Sequence, residues 1–176
     1  AGHGGEDGGA VSNNGVAEAE INLKIALKLQ RLLEQSGSSV ILTRSDNNAI
    51  YDIDKKTLRE KKNSDIKNRA DIFVSIHLNK IPENQYYGWQ KFFKDGNEDG
   101  KRLANCIQNN LNETIQKGNK RTPLKINNVY IIKYVEIPTV IVECGFLSNP
   151  EEEKQLQEEY QTKLAWGIYN GIMEYF

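Results

Sequence analysis

Two short apolar segments constrain the fold of this chain more than any other feature. The segments DIFVSIH (residues 71–77) and PTVIVECGF (residues 138–146) are apolar almost throughout. The first ends in His77, and the second reaches Glu143 after an unbroken apolar run. Continuous apolar runs of this length are typical of strands inside a parallel sheet that is covered by helices on both faces. The sequence therefore predicts an α/β fold built on a mostly parallel sheet.

The remaining elements follow from the spacing of apolar residues. Helical spacing predicts helices at residues 18–35 and 100–117, and a C-terminal helix with the stripe Leu164, Ile168, Ile172 and Phe176. The charged segment 54–69 is also predicted to be helical, although its amphipathic pattern is weak. Asn149 or Ser148 is expected to cap a further helix that begins at Pro150. Three more strands are predicted at SVILTR (39–44), WQKFF (89–93) and NVYIIK (128–133). Helices and strands alternate, as they do in doubly covered sheets.

Composition excludes several classes of protein. The 176 residues carry 23 basic and 24 acidic side chains, so the chain shows no electrostatic footprint for nucleic acid. No apolar run approaches the ~20 residues of a transmembrane segment. The two cysteines, Cys106 and Cys144, have no CxxC partner and are expected to be free thiols, which leaves the redox compartment open.

The sequence opens with AGHGGEDGGA, which sets His3 among glycines. One interpretation is an exposed glycine-rich terminus with an incidental histidine. The other is a tight turn whose backbone comes close to whatever the imidazole holds. Such a turn should follow a strand, so we expect a strand, and any targeting segment, to precede the given sequence.

Both histidines of the chain and two glutamates are expected at one edge of the sheet. His77 and Glu143 end predicted strands, His3 lies in the opening turn, and Glu18 starts the first helix. Ligand sites of open α/β sheets lie outside the carboxyl ends of the strands.

Two histidines and one carboxylate, with a fourth position left for water, form the ligand set of a catalytic zinc site. Zinc would lower the pKa of its water from ~15.7 towards ~7, and a further carboxylate could take the proton. Each residue has an alternative role: His77 as a strand-end histidine bonded to a carbonyl, and Glu18 as a first-turn acid. Glu143 is harder to explain structurally, because a carboxylate ending an apolar strand is costly unless it is paired or functional. Glu6 and Asp7 are interpreted as loop acids.

These segments, in chain order, resemble a known family. The chain is similar to the zinc-dependent N-acetylmuramoyl-L-alanine amidases (amidase type 3). The similar segments are GHGGEDGGA, then Glu18 ahead of INLKIALKLQRLLEQSG with VILTR, then DIFVSIHLN, and finally IVECGFLSNPEE. The resemblance runs over essentially the whole chain. It implies a twisted, mostly parallel sheet flanked by helices. It also implies hydrolysis of the amide between the lactyl group of muramic acid and the first L-alanine of the peptidoglycan stem peptide.

The resemblance also implies roles for individual residues. His3, Glu18 and His77 would be the zinc ligands, and Glu143 the catalytic base and then the acid to the leaving amine. Asn79 would shape the substrate cleft, although a capping or turn role is the alternative. Arg121 would meet a carboxylate of the peptide, unless it is simply solvated. The loop IPENQYYGWQ would offer aromatic rings to the sugars.

Within the family, the chain resembles the single-domain spore cortex and germination-specific amidases. The features that suggest this are SIHLNKIP, NVYIIK and the absence of cell-wall-binding repeats. This implies one catalytic domain over residues 1–176, acting on peptidoglycan in muramic-δ-lactam formation. It also implies export to the cell envelope, with the forespore intermembrane space as one location, and an activating protein partner. Another zinc peptidase or deacylase and a non-catalytic peptidoglycan-binding module are the alternatives. The family has more residues between Arg69 and the following strand, which predicts a short loop or residues absent after Arg69.

Overall fold

The computed structural model describes residues 1–48, 69–115 and 121–176 of the chain. The strands are β1 (Phe73–Asn79), β2 (Gln90–Phe93), β3 (Leu124–Lys125) and β4 (Thr139–Phe146). The helices are α1 (Glu18–Gln35), α2 (Glu98–Ile115), α3 (Tyr130–Tyr134), α4 (Pro150–Gln155) and α5 (Glu158–Tyr175).

The four strands form one mixed sheet in the order β1-β4-β2-β3. The β1–β4 and β2–β3 pairs are parallel, and β2 runs antiparallel to β4. The predicted α/β fold with a mostly parallel sheet is therefore confirmed. The register places His77 of β1 beside Glu143 of β4, and Gln90 of β2 on the other side of Glu143.

The main core lies between the sheet and three helices. Helix α1 packs against β1 and α5, and α2 packs against β2, β4 and α5. Fully buried side chains from each element meet there, among them Ile25, Leu103, Ile107, Val142 and Leu164. Cys106 and Cys144 are both free, as expected. Within the described ranges, no helix is both long and apolar enough to span a bilayer.

Several predicted elements coincide with the structure. The strands at residues 71–77, 89–93 and 138–146 correspond to β1, β2 and β4. The helices at 18–35 and 100–117 correspond to α1 and α2, although α2 begins earlier, at Glu98, and Lys117 lies outside the described residues. Asn149 is the cap of α4, since its side chain accepts from the backbone N–H groups of Glu151 and Glu152. The predicted helix at 54–69 lies outside the described residues except for Arg69.

Three sequence predictions are wrong. NVYIIK forms no strand, because its last four residues belong to the single-turn helix α3. Ile132 is buried in this helix, and the rings of Tyr130 and Tyr134 contact each other one turn apart. A short apolar run does not distinguish a strand from a helical turn. Phe176 is 74% exposed, and Tyr175 takes the buried position that ends the stripe of α5.

SVILTR (residues 39–44) is the third error, because it forms no strand in the described structure. A strand needs a ladder partner for its backbone, and no described strand pairs with this segment. It lines a cavity of about 1140 Å³ beside β1 that also reaches His3 and His77. The described residues supply one backbone bond to this edge of β1, from Gly2 N–H to Ile76 O at 2.9 Å. The strand expected before the opening turn stays a prediction.

Candidate metal centre

Three side chains from separate segments converge at the carboxyl end of β1. His3, Glu18 and His77 each offer one ligand atom, and these atoms lie within 4.8 Å of one another. His77 Nδ1 is 2.9 Å from Glu18 Oε1, and His3 Nε2 is 3.4 Å from the same oxygen. The structure therefore brings together the residues that the sequence placed at one sheet edge.

A second carboxylate, that of Asp7, orients His3. Nδ1 of His3 lies 2.9 Å from Asp7 Oδ2, so Nε2 is the nitrogen that faces Glu18. The backbone of His3 has φ 59°, a left-handed conformation that costs a non-glycine residue about 1–3 kcal/mol and persists only where the surroundings impose it. Hydrogen bonding to Glu18, and then to Asp7, raises the pKa of His3 to about 9. A carboxylate on the far nitrogen of a ligating histidine is the usual support in metal sites.

Glu18 is held as an anion although it is almost completely buried. It begins α1, where the helix dipole favours a negative charge. Its Oε1 accepts from Leu78 N–H at 3.0 Å and from the Asn22 amide at 3.1 Å, and Oε2 accepts from Ala10 N–H at 2.9 Å. Burial alone raises the pKa of Glu18, but its hydrogen bonds with His3 and His77 outweigh burial and hold the pKa well below its ordinary value.

His77 is packed against the backbone of the opening turn. A Cβ atom added to Gly2 would lie 2.2 Å from His77 Cε1, so only glycine allows the turn to approach the ring this closely. The turn therefore needs glycine at this position to place His3 beside His77. Their ring centroids are 5.0 Å apart in an edge-to-face arrangement.

Glu143 lies directly beside His77 on the neighbouring strand. Its Oε2 is buried and has no hydrogen-bond partner among the described residues. Burial, followed by the nearby Glu18 charge, raises the pKa of Glu143 to about 8. An unpaired buried carboxyl costs about 1–3 kcal/mol, and perturbed carboxyls of this kind cluster at functional sites.

The donor set fits zinc. Two imidazole nitrogens and one carboxylate oxygen match the protein ligands of catalytic zinc sites. Asp7 supports His3, while Asn22 and two backbone N–H groups support Glu18, as expected for ligands held by an outer layer of hydrogen bonds.

The two predicted substrate residues lie at the same end of the sheet. Asn79 ends β1 in register with Phe146, past an irregularity in the β1–β4 ladder. Arg121 stacks over Phe146 with its Cζ atom 4.9 Å from the ring centroid, and its Nε donates to Tyr87 O at 3.4 Å. Tyr86 and Tyr87 are exposed on the adjacent loop.

Two supporting residues are not among those predicted from the sequence. Asp7 was interpreted as a loop acid, and Asn22 was given no role. The i,i+4 spacing of Glu18 and Asn22 on α1 is a signal that could have identified Asn22. Asp7 similarly follows His3 by four residues.

Known proteins resemble this chain over nearly its full length. The germination-specific N-acetylmuramoyl-L-alanine amidase of Bacillus subtilis (strain 168) is 33% identical, over 99% of this chain and 77% of that protein. The CwlD amidase of Clostridioides difficile, solved in complex with the GerS lipoprotein, is 42% identical with a TM-score of 0.92, covering 99% of this chain and 94% of that one. The catalytic domain of CwlV, an amidase of Bacillus (Paenibacillus) polymyxa var. colistinus, is 32% identical with a TM-score of 0.85. The match covers 99% of this chain and 94% of that one.

The family profile described as N-acetylmuramoyl-L-alanine amidase (Amidase_3) matches residues 1–174. The match covers all of the site described above and every element of the fold except the last residue of α5. The chain therefore belongs to the N-acetylmuramoyl-L-alanine amidase family, whose members hydrolyse an amide bond of peptidoglycan.

Proposed function

We propose that this chain is a zinc-dependent amidase that cleaves the bond between the lactyl group of N-acetylmuramic acid and the L-alanine of the stem peptide. The observation that carries the proposal is the convergence of His3, Glu18 and His77 beside the buried carboxyl of Glu143. Membership of the amidase family supports the choice of bond.

His3, Glu18 and His77 would hold the zinc ion. Bound there, zinc would polarise the scissile carbonyl and lower the pKa of the attacking water. The hydrogen bonds from Leu78 and Asn22 to Glu18 keep its carboxylate oriented while the imidazoles bind.

Glu143 acts as the general base and then as the general acid. As a carboxylate it accepts a proton from the attacking water as the oxygen adds to the carbonyl carbon. It then donates that proton to the amine nitrogen as the carbon–nitrogen bond breaks. Burial raises the pKa of Glu143 above its ordinary value in the metal-free chain, which favours return of the proton to the leaving amine.

Arg121 and the exposed tyrosines would bind the substrate. The Arg121 guanidinium lies over Phe146 at the end of β4, where it can pair with a peptide carboxylate. Tyr86 and Tyr87 present rings on the adjacent loop, where sugars can stack. Asn79, at the end of β1, would line the cleft between them.

The cellular role proposed is maturation of the spore cortex, through muramic-δ-lactam formation. The germination-specific amidase of Bacillus subtilis supports a germination-related function, and the CwlD–GerS complex supports regulation by a protein partner. Action on peptidoglycan implies an extracytoplasmic enzyme, with the forespore intermembrane space as the specific compartment. The match to the CwlV catalytic domain supports a single catalytic domain over residues 1–176.

Digestion of purified muropeptides tests the proposal. The wild-type protein should bind about one zinc ion and release the L-alanine amine, as read by mass spectrometry. Glu143→Gln removes the proton acceptor but keeps the shape of the side chain, so zinc content should stay the same while the rate falls by roughly 10²–10⁴-fold. Glu20→Gln, an exposed glutamate on α1, is the matched control and should retain activity.

Cleavage of a peptide or acetyl bond instead would show a different zinc hydrolase. An unchanged rate for Glu143→Gln would remove its assigned role. Absence of cleavage by zinc-loaded wild type, alone and with a candidate envelope lipoprotein, would favour a binding module.

A further inference from the structure

Arg44 is a buried arginine whose hydrogen bonds to the described residues all go to backbone carbonyls. It is 6% exposed and lies at the end of the segment SVILTR. Its Nη2 donates to Gly2 O at 2.9 Å and to Ala19 O at 2.7 Å, and Nη1 donates to Asp46 O at 2.9 Å. Each terminal guanidinium nitrogen carries two protons, so both protons of Nη2 are used by these two carbonyls.

The two carbonyls on Nη2 belong to residues adjacent to proposed ligands. Gly2 directly precedes His3, and Ala19 directly follows Glu18. One nitrogen of Arg44 therefore links the opening turn to the first turn of α1. The link joins two chain segments that are distant in sequence, and each of them contributes one of the three proposed metal ligands.

The backbone of Gly2 extends this link to the third ligand. Its N–H donates to Ile76 O at 2.9 Å, one residue before His77. Its carbonyl also receives the Asn22 amide at 3.4 Å, and that same amide donates to Glu18. Gly2 is thus the point at which the segments carrying all three ligands are tied together, and Arg44 makes the shorter of the two side-chain bonds to it.

We propose that Arg44 is a positioning residue for the metal centre, fixing the opening turn against α1 so that His3 and Glu18 face one divalent cation. This inference rests on the zinc site of the proposed function. Its hydrogen bonds to the described residues go to backbone carbonyls and not to the carboxylate of Glu18, so it does not compete with the cation for that carboxylate.

The strained backbone of His3 explains why the hydrogen bond from Arg44 to Gly2 O matters for the site. A φ of 59° at a histidine relaxes unless neighbouring contacts hold it, and the Arg44 bond to Gly2 O is made at the preceding residue. Lysine should replace Arg44 only in part. Its single ammonium lacks the planar guanidinium, whose several N–H groups donate to carbonyls in fixed directions.

Zinc affinity of the purified chain, measured by chelator competition, tests the inference. Arg44→Met should weaken zinc binding roughly 10–100-fold, the usual effect of removing a residue that supports a metal ligand. Arg44→Lys should give a smaller loss. Arg102→Met is the matched control: Arg102 also donates to a backbone carbonyl, Tyr175 O, but bonds to none of the described site residues. It should bind zinc like the wild type.

Two readouts separate positioning from a general loss of stability. The visible spectrum of the cobalt-substituted protein should change in Arg44→Met and not in Arg102→Met. Amide hydrogen exchange of the metal-free proteins should be faster at Gly2 and His3 in Arg44→Met alone. If Arg44→Met does not fold, Arg44→Lys carries both measurements.

Folded Arg44 variants that bind zinc within threefold of the wild type, with an unchanged cobalt spectrum, would overturn the inference. A wild-type chain that binds no zinc would instead overturn the zinc chemistry of the proposed function, and the role of Arg44 as a metal-positioning residue with it. The wild-type measurement and the variant-to-wild-type ratio therefore distinguish the two failures.

Discussion

At the residue scale, two buried titratable groups lie on opposite faces of the sheet. Glu143 pairs with Gln90 across β4 and β2, and Lys91 is the next residue, so its side chain points to the other face. Glu143 lies beside His77 of the proposed metal centre, and burial raises the pKa of its carboxyl. Lys91 is 0% exposed, and its Nζ has no hydrogen-bond partner among the described residues. Its burial therefore lowers the stability of the fold.

Replacing Lys91 with methionine should stabilise the protein by about 1–3 kcal/mol at pH 7, since an unsatisfied buried donor costs that much. Burial lowers the pKa of Lys91 well below its ordinary value. Between the folded and unfolded pKa values the unfolded chain binds more protons, so wild-type stability rises with pH up to about 10.5. The advantage of Lys91→Met should therefore shrink from pH 7 to pH 10 in urea denaturation.

Lys101→Met is the control for this change, because Lys101 is a half-exposed lysine of α2. Its stability should stay within about 0.5 kcal/mol of the wild type. A Lys91→Met protein that is less stable than the wild type at pH 7 would contradict this account.

At the element scale, close packing of α2 on α5 depends on glycines. A Cβ atom at Gly171 would lie 2.4 Å from Ile107 Cα, and one at Gly167 would lie 2.7 Å from Leu111 Cδ2. Glycine costs a helix interior about 1 kcal/mol relative to alanine, so its presence here reflects packing rather than helix propensity. The same helices bury Leu103, Leu164 and much of the core.

Gly171→Ala should destabilise the protein by roughly 1–3 kcal/mol, because the clash is with backbone that must shift. Thermal and urea denaturation would measure the change. Asn170→Ala, one residue earlier on α5, adds helix propensity without this contact and should be neutral or stabilising. If Gly171→Ala gained stability, the helices would have to be farther apart than the structure shows.

At the scale of the whole molecule, the proposed metal centre combines residues from distant parts of the chain. His3 and His77 are separated by most of the N-terminal half, and Glu143 comes from the last strand of the sheet. The proposed ligands meet only when β1, α1 and the opening turn are assembled, so a metal that binds the folded state must stabilise the whole fold.

Zinc at 100 times its dissociation constant should stabilise the protein by about 2.7 kcal/mol. For a domain of this size, that corresponds to a rise in Tm of roughly 5–11 °C. Excess chelator should reverse the rise. In His77→Ala the zinc-dependent shift should disappear, while the metal-free Tm reports separately on folding. An equal shift in His77→Ala would place the zinc elsewhere on the protein.

The sequence alone determined which groups are available for chemistry and which elements carry them. Both histidines are visible in the sequence, and the apolar runs that end in His77 and Glu143 predict buried strands, because period and composition are local properties. Parallel strands present their carboxyl ends at one edge, which predicts that these residues converge. The helices α1 and α2 follow from the same kind of local pattern.

Tertiary structure alone decided what Arg44 contacts. Asp7 and Asn22 lie only four residues from His3 and Glu18, so their contacts are local. Arg44 is an ordinary segment-end residue in the sequence, and its hydrogen bonds depend on the carbonyls of Gly2 and Ala19, which the fold brings from elsewhere in the chain. The same reason explains the errors at residues 39–44 and 128–133, where a short apolar run needed a ladder partner to become a strand. Local patterns specify what a segment can form, while hydrogen-bond partners distant along the chain decide what it does form.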